Sequence, residues 1–126
     1  MSEESIKAVV RAVLAAIDRH DLSALQAHPG LHETVQHIPL MWAAFPDLRH
    51  TVDRQMADGD MVATCATVRG THHGPLLGAP STGKEVAFLV LMMNQVADGR
   101  IVLHYGLPDW MALLGLLGVL PSRPQA

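Results

Sequence analysis

The sequence has little of the material that marks several common classes of protein. Cys65 is the one cysteine, which excludes an internal disulfide and a cysteine-based metal cluster. Charged residues make up 17% of the chain and the net charge is −3, with no basic cluster, so we expect no nucleic-acid partner. The apolar run 110–120 has 11 residues. It is shorter than the roughly 20 residues that span a bilayer, so we expect no membrane partner.

Residues 1–5 are acidic and lack the basic-then-apolar order of a signal peptide, so we expect a cytoplasmic protein. The 126 residues suffice for one domain, 1–126, with a substantial core. Apolar residues make up 49% of the chain and the mean hydropathy is +0.22, which exceeds what one core of this size needs. The composition therefore predicts an apolar cavity, a face covered by a partner subunit, or both.

The N-terminal part has the apolar spacing of helices. Over 6–17, apolar residues recur at three- and four-residue steps, which predicts an amphipathic helix that starts near Ser2. A second short helix is predicted over 21–27. A third is predicted over 31–44, where Pro39 is expected to kink or restart the helix.

From Leu48 onward the apolar period changes to two, which predicts strands. The expected strands are 48–56, 61–71, 85–96 and 101–107, followed by a last helix over 109–117. Asp58-Gly59 and Asp98-Gly99 are typical of tight hairpin turns, so the strands that flank each pair should be antiparallel. We therefore predict an α+β fold. Its curled antiparallel sheet forms a cone, and the N-terminal helices pack on the concave face.

The predicted third strand is apolar on both of its faces. Val86, Phe88, Val90 and Met92 alternate with Ala87, Leu89, Leu91 and Met93. One of these faces can line the interior of the cone, but the other then needs a cover. We therefore expect a homodimer that buries the outer face of the sheet.

Asp109 is a lone carboxylate among apolar neighbours such as Leu107, Trp110 and Met111. Apolar surroundings raise the pKa of a carboxyl group and strengthen it as a base. We expect Asp109 to be the general base, placed on the cavity wall beside a small apolar substrate that carries a carbonyl group. Its position after Pro108 also suits the N-cap of the last helix, and this purely structural role is the alternative.

His104 lies on the predicted last strand and can donate a hydrogen bond to an enolate oxygen. Strand alternation places Val102 and His104 on one side, and Ile101 and Tyr105 on the other. The sequence period does not tell which side faces the interior, so His104 is a candidate for the site or for the outer surface.

Further pocket candidates, each with core packing or solvent exposure as its alternative, are Trp42, Phe45, Met92, Asn94, Gln95 and His72. Asn94 and Gln95 end an apolar strand, so one of them must point inward, where its amide needs a partner or a ligand. His72 begins the Gly- and Pro-rich loop 72–84, which can form the rim of a pocket. The histidines lack the spacing of a metal-binding helix, so we expect no metal site.

Several short motifs follow one another in order along the second half of the chain. They are Ala-Phe-Pro-Asp-Leu at 44–48, Ala-Asp-Gly-Asp-Met-Val at 57–62, Gly-Thr-His-His-Gly at 70–74, Pro-Ser-Thr-Gly-Lys at 80–84, Asp-Gly-Arg-Ile-Val at 98–102, and His104-Tyr105 with Asp109. Together they resemble the SnoaL-like polyketide cyclases, a branch of the nuclear transport factor 2-like superfamily. The resemblance extends from about Phe45 to Gly118 and implies the same cone-shaped, cystatin-like fold.

Cyclases of this family close a polyketide ring by intramolecular aldol condensation, with neither metal nor cofactor. An aspartate at the end of the last strand removes the proton, and the resemblance places that aspartate at Asp109. It also implies that Tyr105 forms part of the cavity wall. Other proton-transfer reactions on the same fold are isomerisation, dehydration, epoxide opening and cofactor-free oxygenation. A non-catalytic dimer that binds a hydrophobic ligand is the remaining alternative.

Overall fold

The structure is a computed structural model that describes residues 1–119; residues 120–126 of the predicted domain lie outside it. The helices of this part are α1 (Glu3–Asp18), α2 (Leu22–Gln26), α3 (His32–Ala44) and α4 (Trp110–Leu116), with a short 3-10 helix (Pro29–Leu31) before α3. The start of α1 is as predicted, because the Ser2 hydroxyl accepts the N–H of Ser5. Within residues 1–119, no helix has the length and apolar character that crossing a membrane requires.

The third helix forms where it was predicted, but it does not restart at Pro39, which was one of the two expected effects of the proline. α3 runs from His32 to Ala44 as one helix. Ile38 and Ala44 are both buried, so the residues on either side of Pro39 are held against the rest of the protein. Tertiary packing of this kind offsets the hydrogen bond that a proline removes from a helix.

The four strands are β1 (Arg49–Asp58), β2 (Met61–Thr71), β3 (Glu85–Ala97) and β4 (Arg100–Pro108). They pair antiparallel in chain order and form a curled, unclosed sheet, which confirms the predicted α+β fold. The turn between β3 and β4 forms as the sequence indicated. Asp98 and Gly99 have φ angles of 52° and 74°, the left-handed conformation that a two-residue hairpin requires.

Burial alternates residue by residue along β3. Its inward side chains, Val86, Phe88, Val90, Met92, Asn94 and Val96, are buried. They form the core together with the apolar face of α1, which includes Ile6, Val10, Leu14 and Ile17. Leu89, Leu91 and Met93 point the other way and are 48%, 55% and 47% exposed. The outer face of the sheet is therefore apolar and open in the single chain.

β4 contains a bulge that the apolar period of the sequence does not reveal. The pairing with β3 shifts between Gln95 and Val96, so Val102 is an extra residue on β4. Ile101 is 1% exposed and faces the core, and His104 also faces the interior. Strict alternation would have put these two residues on opposite faces. The bulge thus places His104 on the interior side of the sheet and not on its outer surface.

Candidate functional site

A cavity of about 770 Å³ lies between the helices and the concave face of the sheet. Most of its wall is apolar and includes Val13, Ile17, Ile38, Met41, Phe88, Val90, Met92 and Trp110. Histidines contribute much of the polar lining: His32, His37, His50 and His104. Within residues 1–119, neither lysine nor arginine lines this cavity. The wall offers no fixed positive charge to a phosphate or carboxylate and suits a neutral, apolar ligand.

Asn94 and His104 form a hydrogen-bonded pair on the cavity wall. They are opposite each other on β3 and β4, and the His104 Nδ1–H donates to Asn94 Oδ1 over 2.6 Å. An amide oxygen only accepts, so this bond assigns the proton to Nδ1 and leaves a lone pair on Nε2. Asn94 is fully buried, and its Nδ2 has no hydrogen-bond partner within the described residues. Such a donor is costly to leave unpaired, and its burial keeps it out of contact with a molecule in the cavity.

The environment of His104 favours the neutral ring. Burial lowers the pKa of His104 below its ordinary value, because the charged form loses hydration. Gly106 lies on the same face, and a Cβ at that position would be 3.0 Å from His104 Nε2. The glycine therefore leaves room for the imidazole at this point of the wall. A neutral imidazole with a free Nε2 can accept a proton, which is the chemistry of a general base.

Asp109 does not have the buried position expected of it. Its side chain is exposed and is not part of the cavity lining, and its Oδ1 accepts the N–H of Ala112 over 3.0 Å as the N-cap of α4. Leu107, expected to desolvate it, is itself 72% exposed. Pro108 and Trp110, on either side of Asp109, do line the cavity. The carboxylate is therefore beside the cavity, and its catalytic role stays a prediction.

Tyr105 and Gln95 lie on the outer face of the sheet. Tyr105 pairs with Met93, is 59% exposed, and borders both the main cavity and a second hollow on that face. Gln95 donates a hydrogen bond from Nε2 to Asp60 over 2.8 Å. Of the two amides that end β3, the inward one is thus Asn94. The same alternation that brings His104 inside turns Tyr105 outward.

Among the apolar candidates, Met92 lines the cavity, whereas Trp42 and Phe45 do not. Trp42 donates its Nε1–H to the Ile17 carbonyl oxygen over 2.9 Å, and Phe45 is fully buried in the core. His72 is also fully buried and away from the cavity lining. Its Nδ1 lies 2.9 Å from Thr82 Oγ1, so it holds the loop closed on itself and does not form a rim.

Several cavity residues were missed by sequence reasoning. His32 and His37 come from α3, His50 comes from β1, and Trp110 comes from the first turn of α4. His32 and His37 are five residues apart, whereas residues that share one face of a helix are three or four apart, so their spacing did not indicate a common site. His50 precedes a bulge between Val52 and Arg54, so alternation along β1 did not identify its face.

The family model of the SnoaL-like polyketide cyclases matches residues 1–115 of the chain. The chain belongs to this family. The resemblance drawn from the six motifs is thereby confirmed. No curated protein is significantly similar to this SnoaL-like protein in sequence.

Solved structures of bacterial proteins share the fold over most of the chain. AclR, a proposed hydroxylase from Streptomyces galilaeus, is 31% identical, with 98% of this chain and 87% of AclR covered and a TM-score of 0.87. IdmH, a proposed polyketide cyclase from Streptomyces antibioticus, is 28% identical, with 90% and 99% covered and a TM-score of 0.79. TsrD from Streptomyces laurentii is 23% identical, with 95% and 99% covered and a TM-score of 0.85, which shows a shared fold.

Proposed function

We propose that this SnoaL-like protein is a cofactor-free enzyme that transfers protons on an apolar carbonyl substrate. A polyketide-type intramolecular aldol condensation is the specific reaction. The observation that carries the proposal is the Asn94–His104 pair on the wall of an otherwise apolar cavity. Family membership supports the reaction class, and IdmH, which is 28% identical, is a proposed polyketide cyclase.

We assign the role of base to His104. Its Nε2 takes a proton from the carbon next to a substrate carbonyl, which leaves an enolate. The enolate carbon then attacks a second carbonyl carbon of the same molecule and forms the new C–C bond. The alkoxide that results takes the proton back from the imidazolium. The reaction therefore needs only the enzyme and one substrate molecule.

Asn94 orients the base in this scheme. Its Oδ1 accepts the Nδ1–H of His104 and so holds the ring in the tautomer that a base needs. Its Nδ2 is buried and out of reach of a molecule in the cavity, so we give it no part in the reaction.

Asp109 is the alternative base, as the family resemblance implies. It lies between Pro108 and Trp110, which both line the cavity. Its Oδ1 is used in capping α4, which leaves Oδ2 free of that contact. We place His104 ahead of it because the imidazole faces the cavity, whereas the carboxylate is exposed.

The test measures proton abstraction without knowledge of the natural substrate. β-Tetralone is a small apolar ketone, and loss of its α-proton signals in D2O is followed by NMR. The wild type should accelerate exchange over buffer. His104→Asn should reduce this acceleration by at least ~10²-fold, the low end for a general base, because Nε2 is removed. Asp109→Asn is the matched control, since asparagine also caps a helix well.

The two variants separate the possible assignments. Normal exchange in Asp109→Asn together with lost exchange in His104→Asn supports the proposal. The reverse result assigns the base to Asp109. If the wild type binds β-tetralone but does not accelerate its exchange, the protein is a hydrophobic-ligand carrier and the enzymatic proposal is wrong.

Oxygenation is a second candidate function, favoured by one observation. AclR, a proposed hydroxylase, is 31% identical to this chain over 98% of its length. Cofactor-free oxygenation also begins with removal of a proton. The carbanion then adds O2 and takes up a proton to give a hydroperoxide, which loses water and leaves a carbonyl group on the substrate. An oxygen electrode distinguishes the two reactions, because aldol closure consumes none.

We also propose that a second copy of the chain covers the outer face of the sheet. Leu91, Met93, Tyr105 and Leu107 are exposed on this face and line a hollow of about 440 Å³. Apolar surface of this kind is what a homodimer buries, and a stable contact should exceed about 1,000 Å² in total. The expected cytoplasmic location also stays a prediction.

A further inference from the structure

Asp18 and His50 form a second polar pair, of which His50 lies on the wall of the same cavity. Asp18 is the last residue of α1 and His50 is the second residue of β1. The His50 Nδ1–H donates to Asp18 Oδ1 over 2.7 Å, and the His50 backbone N–H donates to Asp18 Oδ2 over 2.9 Å. The carboxylate thus holds both the backbone and the ring of His50.

The backbone contact alone would suffice to tie α1 to β1. The added contact to Nδ1 orients the ring, and in the neutral ring it places the proton on Nδ1 and the lone pair on Nε2. The His50 side chain is 9% exposed and is part of the cavity lining. Within the described residues, its Nε2 makes no hydrogen bond and is not fully buried. An oriented acceptor in an apolar wall is available to a ligand.

His50 and His104 lie on the two edge strands of the sheet, β1 and β4, and are offset from each other along the strand direction. His50 pairs with Val68 on β2, Val68 pairs with Phe88 on β3, and His104 pairs with Asn94 on β3. The β3 positions are therefore six residues apart, which is roughly 20 Å along an extended strand, and β1 and β4 are three strand spacings, roughly 14 Å, apart across the sheet. The inward curl of the sheet and the reach of the side chains shorten the gap that a ligand has to bridge.

The wall between the two pairs is apolar. The residues that line it on β2 and β3 are Val68, Phe88, Val90 and Met92. A ligand that contacts both histidines must therefore have a hydrophobic middle part.

We infer that His50, oriented by Asp18, is a second contact for the substrate and accepts a hydrogen bond from a hydroxyl or enol group. The inference rests on the proposed function, since it assumes that the substrate occupies this cavity. It specifies the substrate class: an elongated, apolar molecule with an oxygen function at each end. One end is held by Asn94–His104 and the other by His50.

The first experiment uses anthraflavic acid, an anthraquinone with one hydroxyl group at each end, as the probe. The Cε1–H signals of the histidine rings are followed by NMR in the wild type during titration. We expect the His50 and His104 signals to shift together, while the signal of His73, which is exposed, stays in place.

Each other outcome of the titration overturns a defined statement. A shift of the His104 signal without a shift of the His50 signal overturns the inference and leaves the proposed site intact. A shift of the His50 signal without a shift of the His104 signal overturns the two-ended contact. If neither signal moves at saturating probe, both the inference and the proposed site are wrong.

The second experiment compares His50→Asn with His73→Asn. Asparagine can still donate to Asp18 in place of Nδ1–H but has no nitrogen at the position of Nε2, so α1 stays tied to β1. The Kd of His50→Asn for anthraflavic acid should rise about 5-fold, as for one lost hydrogen bond. Its Kd for the monohydroxy analogue, bound through its single hydroxyl at Asn94–His104, should not change. Equal losses for both probes, or no loss for either, would overturn the inference.

Discussion

Replacing Asn94 by leucine tests the central pair most directly, because the change is close to isosteric and affects one hydrogen bond. Asn94 is fully buried, its Oδ1 accepts the His104 Nδ1–H over 2.6 Å, and its Nδ2 is unpaired. The leucine would lie beside Met92 and Val96 on an apolar wall. The substitution therefore removes the orientation of His104 while the packing is largely kept.

The expected effect on stability is small because two terms oppose each other. Leaving the buried Nδ1–H of His104 without an acceptor costs about 1–3 kcal/mol. Removing the unpaired Nδ2 of Asn94 returns a similar amount, and leucine buries more apolar area. The net change in the free energy of unfolding should stay within about 1 kcal/mol. For a chain of this size, that corresponds to a shift in Tm of roughly 3–5 °C.

The expected effect on chemistry is much larger than the effect on stability. Without Oδ1, the His104 ring is free to rotate and to carry its proton on Nε2. Exchange of β-tetralone protons should slow by at least ~10-fold. Asn94→Asp is the control for the orientation of the ring: its carboxylate still accepts the Nδ1–H, so its exchange should exceed that of Asn94→Leu. Wild-type exchange in Asn94→Leu would refute the pairing argument, whatever the change in Tm.

Three further predictions follow from the same geometry. Gly106→Ala should slow β-tetralone exchange several-fold with little change in Tm. The new Cβ would lie 3.0 Å from His104 Nε2 and would displace the ring. An unchanged exchange rate would show that the position of the ring is not critical. The pH profile of exchange should hold its plateau below pH 6.5, the ordinary pKa of histidine, and should decline only near the lowered pKa of His104. Between pH 6.5 and the lowered pKa of His104, the unfolded chain binds a proton that the folded chain does not. The free energy of unfolding contributed by His104 is therefore highest above pH 6.5 and declines as the pH falls toward that lowered pKa. The decline of exchange at low pH should be absent in His104→Asn. A decline that persists in this variant would show that another group causes it. Leu91→Glu on the outer face should give a 13.6 kDa monomer by light scattering with the melting curve still cooperative, whereas a wild type that is already monomeric would end the dimer proposal.

Part of the candidate site was accessible from the sequence. An amide at the end of the apolar strand β3 had to face inward, and the structure selects Asn94. His104 was a candidate because it lies on the predicted last strand, in the closing motif of the family, and can donate a hydrogen bond. The sequence could not choose its face, since the extra residue Val102 lies between it and Ile101. A bulge depends on how two strands pair, and the apolar period of one strand does not reveal it.

Asp109 shows the opposite case, in which local sequence gave a wrong picture of burial. Its neighbours are apolar, but Leu107 is 72% exposed, and the carboxylate caps α4. Apolar neighbours in sequence desolvate a group only if the fold turns them toward it. On a strand, adjacent side chains point to opposite faces, so such neighbours often do not.

The sequence by itself determined the elements and their order. The apolar spacing of α1, the alternation along β3 and the Asp98-Gly99 turn depend on local backbone preferences, which act within a few residues. Only the tertiary structure decided which side chains meet in the cavity. Asp18 and His50 are 32 residues apart and come together because α1 packs on β1. Contacts of this kind depend on the curl of the sheet and the docking of the helices, and no local pattern records them.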